Sequence, residues 1–146
     1  MPIFISFDPG KSKCGLVLVN SDKSIVIEGK VVKADAVIDL IRFWSERYVI
    51  QAVFLGNGTT SKDWENKLIK SGVKMVQLVE ERGTTLKARK RYWELRPPKY
   101  FFRFLPEGLR LPPEPLDAVA ALVLIEDYLN RKLSWDIKQS FKISRE

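Results

Sequence analysis

Histidine is absent from all 146 residues. Its absence removes Ser–His and Cys–His nucleophilic pairs, and histidine-ligated zinc, from the chemistry open to this chain alone. Cysteine occurs once, at Cys14, so no internal disulfide can form, as suits a reducing cytoplasm. Beside Gly15, that thiol reads as a small buried filler rather than a nucleophile. No apolar run approaches the roughly 18–20 residues of a membrane span. The N-terminus shows no basic flank followed by an apolar block and a small-residue cleavage site, so a cytoplasmic protein without membrane contact is expected. What is left for catalysis is carboxylates, lysines, hydroxyls or a bound metal.

The composition, 45% hydrophobic and 29% charged, is that of a globular protein. The length fits one domain that needs no staples. The net charge of +7 is concentrated in one place. Between Arg82 and Arg110 nine basic residues meet only two acidic ones, Glu94 and Glu107, while the remainder balances at sixteen of each sign. One fifth of the chain therefore carries the whole excess. The same stretch holds Tyr92, Trp93, Tyr100, Phe101, Phe102 and Phe104. Clustered cations attract a phosphate backbone and interleaved rings stack on unpaired bases, so nucleic acid is the expected partner. The plainer alternative is a solvated basic helix followed by a loop whose aromatics plug the core.

Ile3 to Phe7 and Leu16 to Val19 read as a hairpin around a glycine-containing turn, and Ser24 to Val32 as a third strand. Ala34 to Tyr48 repeats its apolar residues at helical spacing. Gln51 to Leu55 is a short strand running into Gly56-Asn57-Gly58, and Thr59, Thr60 or Ser61 caps a helix to about Ser71. Gly72 stops it, Val73 to Val79 is the next strand, and Leu86 to about Leu95 is a basic helix started near Thr84. Residues 96–115, rich in proline and aromatics, form a long irregular loop. Leu116 to Leu129 is an apolar helix. The expected division is a domain over 1–130 and a tail over 131–146, partly anchored by Trp135 and Phe141. This order predicts an α/β fold: a mixed five-stranded sheet, an antiparallel three-strand meander continued by parallel strands, flanked by helices.

Three acidic positions lie at the edges of apolar segments: Asp8 after the first strand, Glu80 or Glu81 after the fifth, and Asp117 at the start of the last helix. The ends of the first, fourth and fifth strands of such a sheet can converge. Carboxylates gathered there repel one another, and a hard divalent cation relieves the repulsion. Mg²⁺ (or Mn²⁺) held by oxygen ligands activates water and stabilises a leaving oxygen in phosphodiester hydrolysis, which needs no histidine. Each acid also has an ordinary reading: Asp8 as a turn residue, Asp117 as a helix N-terminal charge, and one of Glu80 and Glu81 as a surface residue, since a strand alternates faces.

The chain resembles the YqgF (RuvX) group of Holliday-junction-resolvase-like nucleases in the ribonuclease H-like superfamily. The resemblance rests on Ser6-Phe7-Asp8-Pro9-Gly10 with Cys14-Gly15-Leu16, on Leu55-Gly56-Asn57-Gly58-Thr59, on Glu80-Glu81-Arg82-Gly83-Thr84-Thr85, and on Leu116-Asp117-Ala118-Val119-Ala120-Ala121. These segments follow the family's order over roughly residues 3 to 130. The resemblance implies a ribonuclease H-like fold and a two-metal mechanism with Asp8, Glu81 and Asp117 as catalytic metal ligands, Glu81 being favoured because it directly precedes Arg82. It also implies processing of ribosomal RNA precursors or resolution of four-way junctions. The chain departs from the family after its central strand, where a Gly-Leu-Pro pattern is replaced by Gly56-Asn57-Gly58.

Under this reading Lys11, Lys13, Arg82, Lys87, Arg89, Lys90 and Arg91 contact phosphates and Trp93 stacks on a base. Arg82 reaches the scissile phosphate or pairs with Glu80. Resolving a two-fold symmetric junction would call for a homodimer. Two other classes compete: a nucleic-acid-binding module on the same fold without catalysis, and an actin-like phosphotransferase. The latter needs two such domains to enclose a nucleotide, and this chain has the length of one.

Overall fold

The computed structural model describes residues 2–81, 83–97, 106 and 115–136. Arg82, Phe141 and most of 96–115, with Tyr100 to Phe104, lie outside them. The elements follow as β1 (Ile3–Asp8), β2 (Lys13–Asn20), β3 (Ile25–Lys33), α1 (Val37–Arg47), β4 (Ile50–Gly56), α2 (Ser61–Lys70), β5 (Val76–Val79), α3 (Thr84–Leu95) and α4 (Asp117–Leu129). A 3-10 turn, Ala34–Ala36, leads into α1.

The strands form one sheet in the order β3-β2-β1-β4-β5. The pairs β1–β2 and β2–β3 are antiparallel, whereas β4 pairs parallel to β1 and β5 parallel to β4. The expected mixed five-stranded sheet, an antiparallel meander continued by parallel strands, is present. Its consequence is positional: β1, β4 and β5 all end along the same edge, so the residues after them share one neighbourhood.

Alternation along the central strands feeds two cores. Ile5, Phe7, Leu16, Leu18, Val53 and Leu55 point to one face, beneath Ile41 and Trp44 of α1 and Trp64 and Leu68 of α2. Val17, Val19, Ala52, Phe54 and Val79 point to the other, beneath α4 and against Ala88 and Tyr92 of α3. A sheet covered on both faces explains why these strands read as near-continuous apolar runs. α4 is buried from Ala118 through Glu126. No described helix is long and apolar enough to cross a membrane.

β5 begins three residues later than the spacing predicts. Gly72 adopts φ 100°, and the amides of Gly72 and Val73 bond back to Ile69 and Leu68 at 3.1 and 3.2 Å. This Schellman cap commits Val73 to closing α2, so it is lost to the strand. At the other end, the residues after Asn130 turn back onto β3. Ser134 exchanges backbone hydrogen bonds with Ser24 and Val26 at 2.9 and 2.8 Å. Trp135 lies against Gly29, where a Cβ would fall 2.3 Å from the indole ring.

Candidate carboxylate site

Asp8 is the last residue of β1 and pairs with Gly15 of β2. A Cβ on Gly15 would meet the Asp117 carbonyl oxygen at 1.8 Å and the Ala118 nitrogen at 2.6 Å, so only glycine lets the first turn of α4 rest on β2. The buried Ser6 hydroxyl, two residues before Asp8, donates to the Ala121 carbonyl at 2.5 Å and fixes α4 along β1. Together these contacts set Asp117 beside the turn after Asp8. Its Oδ1 is 3.7 Å from where a Cβ of Gly10 would stand.

Glu81 comes from the far side. A Cβ on Gly56, the last residue of β4, would lie 2.2 Å from Glu81 Oε1, and one on Gly58 would lie 3.5 Å from Oε2. The carboxylate therefore rests over two glycines, and it shares a hydrogen bond with Asp8. Glu80 is exposed. The acid turned toward Asp8 is Glu81.

Bringing these acids together has an electrostatic cost. Burial, the hydrogen bond to Glu81, and the charges of Glu81 and Asp117 push the Asp8 carboxyl up to about 8. The nearby Cys14 thiol is raised too, first by burial and then by the Asp117 and Asp8 charges, although a hydrogen bond with the Gly10 backbone opposes this. Buried and unbonded to sulfur, it is a core residue. In donor chemistry the three acids, all oxygen, suit a hard divalent cation. Among the described residues no group of three or more Cys, Asp or Glu side chains is disposed to hold a metal ion.

The basic helix divides into three sides. Ala88 and Tyr92 enter the core. Lys87 and Arg91, one turn apart, meet acids of α4. Lys87 reaches Asp127 at 3.0 Å, and Arg91 clasps Glu126 through Nε and Nη2, both at 2.9 Å. Arg91 also donates to the Leu133 carbonyl at 2.8 Å, and Glu126 accepts the Leu133 amide at 2.7 Å. Two of the expected phosphate ligands are thus held by α4. Leu86, Arg89 and Lys90 occupy the third side, and the half-buried Trp93 next to it packs against the core and edge-on to the Tyr92 ring. There the Arg89 Nε and the Trp93 indole N–H are buried without hydrogen-bond partners among the described residues, and Lys90 is exposed. Lys11, in the turn after Asp8, and Lys13, the first residue of β2, are exposed.

Sequence reasoning missed the glycine seats. Gly56 and Gly58 read as a tight loop, and only the fold shows that Glu81 fills the space their missing side chains leave. It also missed the acids of α4 as partners for α3; the available signal was the Glu126-Asp127 pair near the end of an otherwise apolar stretch.

Topology and site together define an α/β domain with a mixed five-stranded sheet and acids gathered at the strand ends. No family model matches the chain, and no curated protein matches it significantly. Among solved structures it is similar to Thermus thermophilus RuvC in complex with a Holliday junction substrate, at 17% identity and a TM-score of 0.47, over 91% of this chain and 99% of that one. It is likewise similar to Thermus thermophilus RuvC in a further structure, at 16% identity and a TM-score of 0.48, over 88% and 95% of the two chains. Identities this low say nothing about substrate.

Proposed function

We propose that the protein is a nuclease related to the YqgF (RuvX) group, hydrolysing phosphodiester bonds of structured nucleic acid with Mg²⁺ or Mn²⁺ held by Asp8, Glu81 and Asp117. The observation that supports it is the convergence of three acids, from segments far apart in sequence, that leaves Asp8 half-protonated at about pH 8. A fold does not seat mutually repelling carboxylates on purpose-cut glycines without some return. A divalent cation bound there would supply an activated water and charge relief at the leaving oxygen.

The chain's own residues do the rest. Asp8, once deprotonated, would join Glu81 and Asp117 in holding that cation. Gly56 and Gly58 keep the Glu81 carboxylate in place, and Gly15 and Ser6 keep Asp117 over the strand ends. Lys11 and Lys13 flank the acids, and Lys90 lies exposed on α3; these cations would hold the phosphates on either side of the scissile bond. Arg89 completes that side of the helix, whereas Lys87 and Arg91 serve α4.

The substrate we propose is a ribosomal RNA precursor or a four-way junction. A junction demands two sites in a two-fold pair and hence a homodimer, whereas trimming RNA needs one. The test is cleavage of labelled precursor RNA, single-stranded RNA and a four-way DNA junction with Mg²⁺ or Mn²⁺, with Asp8→Asn alongside. Cleavage by the parent and none by the variant supports the reading, and the preferred substrate chooses between the two roles. Binding without cleavage by either protein would leave a non-catalytic nucleic-acid module.

A further inference from the structure

The two edges of the sheet are finished differently. At β3 the returning chain covers the edge, where Ser134 bonds to Ser24 and Val26. β5 has a neighbouring strand on one side only, β4. The Met75 carbonyl accepts from the Val53 amide at 2.9 Å and the Val79 carbonyl from the Asn57 amide at 2.8 Å. Met75, Gln77 and Val79 thus turn their peptide groups toward β4. Backbone groups alternate sides along a strand, so those of Lys74, Val76, Leu78 and Glu80 point outward. Among the described residues the outward groups of Val76 and Leu78 meet only the Gln77 carboxamide, whose Nε2 donates to the Leu78 carbonyl at 3.1 Å. The apolar side chains of this segment are open too: Met75 is 52% exposed and Leu78 37%.

We propose that β5 is the surface through which two copies of this chain associate, edge to edge and antiparallel, about a two-fold axis at Gln77. The segment is self-complementary in that register. Lys74 of each copy falls opposite Glu80 of the other, Met75 opposite Val79, and Val76 opposite Leu78, with the two Gln77 residues on the axis. Opposite charges and apolar pairs facing each other across a ladder stabilise it. Moving the axis to Val76 sets Lys74 against leucine, and moving it to Leu78 sets Glu80 against valine. The hydrogen bonds agree with the charges: Val76 and Leu78, which face outward, lie directly opposite each other and exchange both bonds. Lys74 is exposed and has no acidic partner among the described residues. Because Glu80 precedes Glu81, each copy also brings Lys74 beside the carboxylate site of the other. A four-residue edge is a small contact, so the association is weak and concentration-dependent. The inference stands on the strand itself and goes beyond the nuclease reading, for which it supplies the two-fold pair that a junction needs.

The experiment is sedimentation velocity over a series from low to high micromolar protein. It compares the parent, Lys74→Glu, Glu80→Lys, the double variant carrying both changes, and Val76→Pro, with melting temperatures followed in parallel. The parent should move from the 16.8 kDa monomer toward twice that mass as concentration rises. Either single reversal sets two like-charged pairs across the axis and should weaken association about tenfold. The double variant restores both pairs in reversed sense and should associate like the parent. Val76→Pro removes an outward-facing amide that β4 does not use, so it should abolish the dimer and keep a cooperative melt. A parent that stays monomeric at the highest concentration overturns this inference and leaves the nuclease reading standing. A dimer that survives both reversals and Val76→Pro unchanged overturns it as well, since the contact then lies elsewhere. A parent that dimerises as described but cleaves no nucleic acid supports this inference and overturns the nuclease reading alone.

Discussion

Gly15 and Asp117 are in contact through their backbones: the Asp117 carbonyl oxygen occupies the space, 1.8 Å away, in which a Gly15 Cβ would lie. Neither partner can retreat, since Gly15 is paired to Asp8 in the middle of the sheet and Asp117 begins a helix buried along most of its length. Gly15→Ala should therefore push α4 off β2. We expect a loss of roughly 1–3 kcal/mol in urea denaturation, the usual cost of overpacking. Any thermal stabilisation of the parent by Mg²⁺ should be lost as well.

Gly56→Ala makes an informative contrast. The closest obstacle there is not backbone but the Glu81 carboxylate, at 2.2 Å, the far end of a side chain that can swing away. The fold should survive with a stability change smaller than that of Gly15→Ala, while metal-dependent cleavage disappears. A Gly56→Ala protein that cleaves at the parental rate would show that Glu81 is not needed in its seat.

Stability should depend on pH through Asp8. Its carboxyl titrates at about 8 in the folded chain against a usual value of 3.8, so the folded state keeps a proton that the unfolded state releases between those limits. The contribution of Asp8 to stability therefore declines as pH rises from about 4 to about 8, and is least favourable above that. Asp8→Asn removes the penalty. Without divalent cations the variant should exceed the parent by at least about 1 kcal/mol at pH 8.5, and the gap should close near pH 4. Denaturant titrations at both pH values give the answer; an equal gap at both would exclude the shared proton.

Arg91 and Lys90 are neighbours in sequence with opposite expected phenotypes. Arg91 and Glu126 form a buried pair with side chains 12% and 7% exposed, so Arg91→Met should cost about 3–5 kcal/mol by stranding the glutamate. Lys90→Ala should leave the melting temperature alone and reduce the salt dependence of nucleic-acid binding by about one counterion. Denaturation curves and a salt titration of binding separate the two.

Much of this was legible in the chain. The sheet announced itself through uninterrupted apolar runs, and the helices through their 3.6-residue spacing, because burial on two faces and on one face leave different patterns. Asp8, the pair Glu80-Glu81 and Asp117 stood out as charges at the ends of such runs, whereas which glutamate turns toward Asp8 could not be read from periodicity. What was not legible depended on partners distant in sequence. Val73 looked like strand because its bond to Leu68 is invisible to periodicity. Lys87 and Arg91 counted as surplus charge because Asp127 and Glu126, about 35–40 residues onward, could not be seen to lie opposite them. Charge totals along a chain do not reveal which charges are already spent.

The last helix also sets a limit on change. Asp117, Ala121, Leu124 and Tyr128 recur along one side of α4 and meet, in turn, the acid site, the Ser6 hydroxyl, the space above Gly56 and the ring of Phe54. Those four stations act as a key cut to fit four tumblers. Inserting one residue between Asp117 and Ala121 would turn Asp117 by about 100° relative to the other three, without altering composition, charge or helical propensity to any extent. Drift in this protein can therefore rewrite the side chains of α4 more easily than it can change their number.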